Sequence, residues 1–311
     1  PAPASTAGRV VEVQKRTEPK IGSIWQTLFG GLTATAVLHG VVVEAHDHAA
    51  PLEALPAPPA RRLEFLGDSE TSGMGVLGPS QPGSPGLVSV LTVSAAHQDA
   101  LQAWPALVAR SFAADFRTIA WSGAGVVWNV PGGCTADVPF HELYPRLLGN
   151  SAKGRTIESD DAWTPDVVVL YLGGNDWYSL IADSLPQCNA AALAEGFRRF
   201  LVRLRALRPA ATVIVLLPSA TSVGACIGSV EQQARFAADM ATCWRDAAAS
   251  LADPRLFLEL VEPRAPCVLS DRADWGQMGH WSVQGNAKWA DAVVPLVAAH
   301  LGWEAASATS L

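Results

Sequence analysis

Arg61-Arg62-Leu63-Glu64-Phe65-Leu66-Gly67-Asp68-Ser69 is a short apolar run that closes on a glycine, an acid and a serine. Residues 63–66 read as a β-strand, and Glu70-Thr71-Ser72-Gly73 read as the helix or turn that follows it. The same design repeats downstream. Residues 118–121, 167–172, 212–217 and 256–261 are further apolar runs, each closed by Gly, Pro, Ser or Glu. Helical stretches lie between or after them, at 191–207, at 231–251 and from about Gly285 to Leu301. Strand–helix alternation is the signature of a parallel sheet flanked by helices. An α/β domain with a five-stranded, flavodoxin-like sheet in the order 2-1-3-4-5 is expected over residues 61–311, with no internal repeat.

Upstream of Arg61 the pattern differs. Val10-Val11-Glu12-Val13 and Val41-Val42-Val43-Glu44 are β-rich runs separated by glycine-containing turns, so residues 1–49 read as a fragment of a β domain. A segment of that size does not easily build its own core. The prolines and alanines of residues 50–60 favour extended, semi-rigid chain and read as a linker. The chain begins at Pro1 without the charged and apolar regions of a signal peptide, so a leader is expected to be removed already or never present.

The totals exclude several classes of function. Net charge is −7 and no Lys/Arg stripe is interleaved with aromatic residues, so the footprint of a nucleic-acid binder is missing. No apolar run is long enough to span a bilayer. The five cysteines, Cys134, Cys188, Cys226, Cys243 and Cys267, form no Cys-x-x-Cys pair and show no alternating Cys/His spacing, which argues against zinc. Their odd number leaves at least one outside any intrachain disulfide. His46-Asp47-His48 beside the linker reads as a solvated turn rather than a metal site.

Three strand ends carry residues suited to chemistry. Ser69 follows the first strand, on the edge where open α/β sheets bind ligands, and N–H groups of a helix opening there can stabilise an oxyanion. Taken alone, Gly-Asp-Ser is equally a helix cap. The third strand runs into Gly173-Gly174-Asn175-Asp176 beside the first, where a neutral amide can donate to a developing oxyanion. The second ends in Trp121-Ser122-Gly123-Ala124-Gly125-Val126, where Gly125, with Gly123 as near equal, can offer a further N–H. Of seven histidines, His280 lies after the fifth strand and just before the last helix, in a loop that reaches the same edge. His39, His97, His141 and His300 read as surface or capping residues.

Together, Gly67-Asp68-Ser69, the glycine loop after the second strand, Gly173-x-Asn175-Asp176 and the late His280 resemble the four blocks of the SGNH (GDSL) hydrolase superfamily, in order and on the expected elements. The run from Arg61 to Ser69, Ala120-Trp-Ser-Gly-Ala-Gly-Val126, Gly279-His280 followed by Gly285, and Leu301-Gly302-Trp303 resemble carbohydrate esterase family two. That resemblance implies a serine esterase that removes acetyl groups from polysaccharides such as xylan or glucomannan. It implies Ser69 as nucleophile, His280 as general base, the Ser69 and Gly125 N–H groups with the Asn175 amide as oxyanion hole, no cofactor, and secretion. It also implies a jelly-roll β-sandwich before the hydrolase domain. Val10 to Arg16 resembles one of its late strands, so Pro1 would fall inside that sandwich.

Most SGNH enzymes carry Asp three residues before the histidine, and Gln277 stands there. Three groups compete to orient His280: the Gln277 amide, a backbone carbonyl of the same loop, and Asp274. The carbonyl is favoured, because it needs no particular side chain at 277 or 278 and matches Ser-His dyads of the resembled family. Trp177 is a candidate wall for a sugar ring or else core packing. A lipid or short-chain esterase, and a catalytically silent carbohydrate-binding protein, are the alternatives.

Overall fold

The structure, a computed structural model, describes residues 57–80, 95–129, 138–146, 156–157, 163–181, 189–219, 229–262 and 272–305. The expected β-sandwich segment (1–49), most of the linker and the His46-Asp47-His48 turn lie outside these residues, as do Cys134, Cys188, Cys226 and Cys267. Cys243 is a free, buried thiol that burial pushes up to about 11.

Five parallel strands, β1 (Arg62–Gly67), β2 (Asp115–Ala120), β3 (Val167–Tyr171), β4 (Thr212–Pro218) and β5 (Leu256–Val261), form one sheet in the order β2-β1-β3-β4-β5. This is the expected 2-1-3-4-5 order. Among the described residues seven α-helices accompany them: α1 (Ser69–Ser72), α2 (Trp104–Ser111), α3 (Phe140–Leu143), α4 (Gly174–Ile181), α5 (Ala190–Leu207), α6 (Val230–Ala249) and α7 (Val283–Leu301). The central strands β1, β3 and β4 are buried on both faces, whereas β2 and β5 are only partly covered as edges. Among the described residues no helix is long and apolar enough to cross a membrane.

Successive side chains of a strand point to opposite faces, and the two cores divide accordingly. Val168 and Leu170 join Phe197, Phe200, Leu204, Met240 and Trp244 of α5 and α6 on one face. Val167 and Val169 join Trp104 and Val108 of α2 and Trp289, Val293 and Val297 of α7 on the other. Two helix starts are capped by side chains: Asn189 accepts from the Ala192 N–H, and Ser229 with Gln232 forms a capping box before α6. The motif at Trp303 has a packing role, its ring lying 5.6 Å from Phe112 and beneath the Arg61 guanidinium.

The alternation that buries Leu66 on the α5/α6 face also buries Glu64 there. Arg208, just after α5, meets it bidentately at 2.7 and 3.0 Å, and the Tyr144 hydroxyl donates to it at 2.7 Å. Removing one member of a buried pair strands the other's charge. Arg208→Ala is therefore expected to cost about 3–5 kcal/mol in unfolding free energy, read from the urea midpoint at unchanged slope. The triple replacement Glu64→Leu, Arg208→Met and Tyr144→Phe should cost less than Arg208→Ala alone.

Candidate active site

Register brings three chain reversals to one edge. Gly67, the last residue of β1, pairs with Ala120 of β2 and Tyr171 of β3. Residues 68–69, 121–125 and 173–176 therefore leave the sheet side by side at its carboxyl edge, where ligands bind in open α/β folds.

Asp68 and Asn175 stitch these reversals together. One Asp68 carboxylate oxygen caps α1 by accepting the Glu70 N–H at 3.3 Å, and the other accepts from the Asn175 amide at 3.0 Å. Asn175 also donates to the Ala124 carbonyl at 3.0 Å, so both of its amide hydrogens are engaged in the resting structure. Ser69 opens α1 and is partly exposed, and its N–H sits in the first turn, where helix N–H groups have no acceptor within the helix.

The loop after β2 is shaped by Asp176, which is buried and accepts the N–H groups of Val126, Val127 and Trp128 at 2.8, 2.8 and 2.9 Å. Burial pushes its carboxyl up to about 6 against the lowering effect of these bonds. Gly125, expected as an oxyanion donor, has its N–H engaged in the resting structure. Its N–H is donated to the Asn129 side chain at 2.9 Å, and a Cβ there would lie 1.9 Å from the Trp128 carbonyl oxygen, so it is a glycine of the turn itself. Gly123, partly exposed with φ +76°, is the better placed of the two.

His280 closes the turn that begins at Gly276. Its Nδ1 lies 3.3 Å from the carbonyl oxygen of Gln277. With Nδ1–H donating there, Nε2 is the basic nitrogen. That carbonyl is itself held firmly: the Gln277 N–H donates to Gly75 at 3.0 Å, and the Gln277 side-chain oxygen meets His97 Nδ1. Gly75 is obligatory, with φ +70° and a Cβ position only 2.5 Å from the Gln277 carbonyl. Met278 takes a left-handed conformation at φ +60°, which costs a non-glycine residue about 1–3 kcal/mol and must be sustained by its surroundings. Burial lowers His280 to about 4, opposed by hydrogen bonding with the Gln277 and Met278 backbone.

Two alternatives that the sequence leaves open are narrowed by the geometry. Asp274 is fully buried, and its carboxylate pairs with Lys288 at 2.9 Å and accepts from Gln284 at 3.0 Å, so it anchors α7 to the loop instead of serving as the acid behind His280. Trp177 is 1% exposed, donates its ring N–H to Asp239 at 3.0 Å and packs edge-on against Phe236, so it belongs to the core and presents no wall to a sugar. His97 and Glu70 were missed as neighbours of the site, because no local pattern distinguishes a histidine far upstream or a glutamate inside a helix start. Among the described residues no group of three or more His, Cys, Asp or Glu side chains is placed to hold a metal ion.

Proximity of the two halves is fixed by the residues that follow each. Glu70, after Ser69, accepts the N–H of Trp281, after His280, at 3.2 Å. Trp281 is locked in place by ring contacts with Tyr171 and Trp289 at 5.7 and 4.5 Å. Serine turn and histidine loop thus face each other across the sheet edge.

Known proteins share this frame. An acetylxylan esterase/glucomannan deacetylase of Cellvibrio japonicus is 35% identical over 124 residues, 40% of this chain and 32% of that protein. The cellulase/esterase CelE of Acetivibrio thermocellus is 32% identical over 132 residues, 42% of this chain and 15% of that protein. The matches thus span a third or less of either curated relative. Among solved structures, a family two carbohydrate esterase from Clostridium thermocellum in complex with cellohexaose superimposes with a TM-score of 0.61 at 22% identity, covering 81% of this chain and 68% of that one. A Corynascus thermopiles family 2 enzyme does so at 0.62 and 24%, covering 81% and 69%. These are likenesses of fold. Residues 65–293, which hold all but the first residues of the sheet and both facing loops, match the GDSL-like Lipase/Acylhydrolase family, and the chain belongs to that family.

Proposed function

We propose that this chain is a serine esterase that removes acetyl groups from a polysaccharide of the xylan or glucomannan type, working outside the cell. The observation that carries the reading is the Nδ1 contact of His280 with the Gln277 carbonyl, in a loop docked against the Ser69 turn. With Nδ1–H donating to that carbonyl, Nε2 is left as the basic nitrogen that a dyad needs. The acetyl ester as substrate class is supported by the named activities of the curated relatives.

In this mechanism His280 Nε2 takes the Ser69 hydroxyl proton as Oγ attacks the acetyl carbonyl. The oxyanion is received by the N–H groups of Ser69 and Gly123 and by the Asn175 amide, which exchanges the Ala124 carbonyl for it. Collapse expels the sugar oxygen, protonated by His280, and leaves acetyl-serine. Water, deprotonated by His280, then releases acetate and restores Ser69. Residues 1–49 are proposed as part of a β-sandwich preceding the hydrolase domain, supported by the likeness of Val10 to Arg16 to one of its strands.

The purified chain is expected to release acetate from acetylated xylan or glucomannan and to prefer acetyl over long-acyl chromogenic esters. Preference for long acyl chains would favour a lipid esterase instead. A second expectation concerns pH. Because the His280 pKa is lowered, the imidazole stays neutral and basic below the usual histidine range, so the acid limb of kcat/KM should fall with a midpoint near 4 rather than near 6.5. A limb near 6.5 would show a base less buried than the structure indicates. Thirdly, Asp274→Asn should keep most of kcat while His280→Ala removes it, with far-UV circular dichroism confirming that both variants fold. Equal losses would make Asp274 the orienting acid.

A further inference from the structure

Glu70 lies in the first turn of α1, where a helix start already favours an acid, but its carboxylate is turned to a further contact. It follows Ser69 directly, its side chain is only partly exposed, and its carboxylate reaches across to the histidine loop. What it grips is the peptide unit joining His280 to Trp281. The N–H of that unit donates to Glu70 at 3.2 Å, and its carbonyl, that of His280, accepts the Gly276 N–H at 2.7 Å. Both polar ends of one peptide plane are thereby held, one by the serine turn and one by the loop's own start. Since the backbone dihedrals of His280 follow that plane and its ring is fixed at Nδ1 by Gln277, the ring's place relative to Ser69 depends on the Glu70 contact.

We propose that Glu70 is a positioning residue, which sets the His280 ring against Ser69 by holding the His280–Trp281 peptide from the nucleophile's own helix. The inference rests on the proposed Ser69–His280 chemistry. Glu70 touches neither reacting atom; it acts through the main chain. Its electrostatic setting suits the task. Burial, together with the nearby Asp68 carboxylate, drives the Glu70 carboxyl well above the usual range, against the lowering effect of the Trp281 bond. A neutral carboxyl keeps its acceptor oxygen while placing no extra negative charge beside a developing oxyanion. Glutamine supplies the same acceptor without any charge.

Two substitutions separate positioning from simple support of the fold. A misplacement of about 1 Å can cost on the order of 100-fold in rate, so Glu70→Leu should lower kcat by about 10- to 100-fold with KM changed little. Glu70→Gln should restore kcat to within a few-fold of the unsubstituted chain. Nuclear magnetic resonance of the His280 ring supplies a readout that does not require turnover: its Nδ1–H signal should persist in Glu70→Gln and be lost to solvent exchange in Glu70→Leu. Unchanged kcat and an unchanged His280 signal in Glu70→Leu would overturn the proposal. So would a Glu70→Gln variant, folded by thermal melting, that loses as much as the leucine variant. Should the unsubstituted chain hydrolyse no ester, the esterase reading fails, and the ring signal alone then decides whether Glu70 positions His280.

Discussion

A main-chain carbonyl, that of Gln277, holds the imidazole on which the proposed chemistry depends. A carbonyl differs from a carboxylate in supplying direction and a partial charge but no full negative charge to stabilise imidazolium. The orienting acceptor can therefore be of any residue type, provided the backbone carrying it cannot move. Much of the surrounding structure meets that requirement. The Gly75 carbonyl accepts the Gln277 N–H, His97 Nδ1 donates to the Gln277 side-chain oxygen, and Met278 absorbs the strained turn. Burial makes this imidazole a weaker base than usual, and the backbone hydrogen bonds offset that only in part.

The acids around this edge are engaged in building it. Asp68 caps α1 and holds Asn175, Asp176 gathers three N–H groups of the loop after β2, and Asp274 ties α7 to the histidine loop through Lys288. Each fixes one chain segment relative to another. The side chains proposed to react thus sit at helix starts and in one loop, and these segments are tied to one another by hydrogen bonds and to the core by Trp281 and Trp289. Such preorganisation is what keeps catalytic groups within the small tolerances that their chemistry demands.

How much of this could be read in the chain depended on whether the signal was local. Strand order, the helices at 190–207, 230–249 and 283–301, and the placement of Ser69, Asn175 and His280 on one edge follow from apolar periodicity and from the rule that parallel strands end together. Boundaries shifted by a few residues: β2 begins at Asp115, before its apolar stretch, because it pairs in register with β1 from Arg62. Contacts between distant segments were illegible. Nothing near Asp274 announces Lys288, nothing near Gly125 announces that Asn129 will take its N–H, and Trp177 reads as wall or core until burial decides. Glu70 stood within the motif that identified the fold, yet its partner is more than two hundred residues away.

Ser69 is proposed to react through His280, itself held by a carbonyl. Reaction with a serine-directed fluorophosphonate followed by peptide mass mapping tests it most directly. A single adduct on Ser69 that fails to form in His280→Ala is the predicted result. An adduct on any other serine, or undiminished labelling of Ser69 without His280, would contradict the claim.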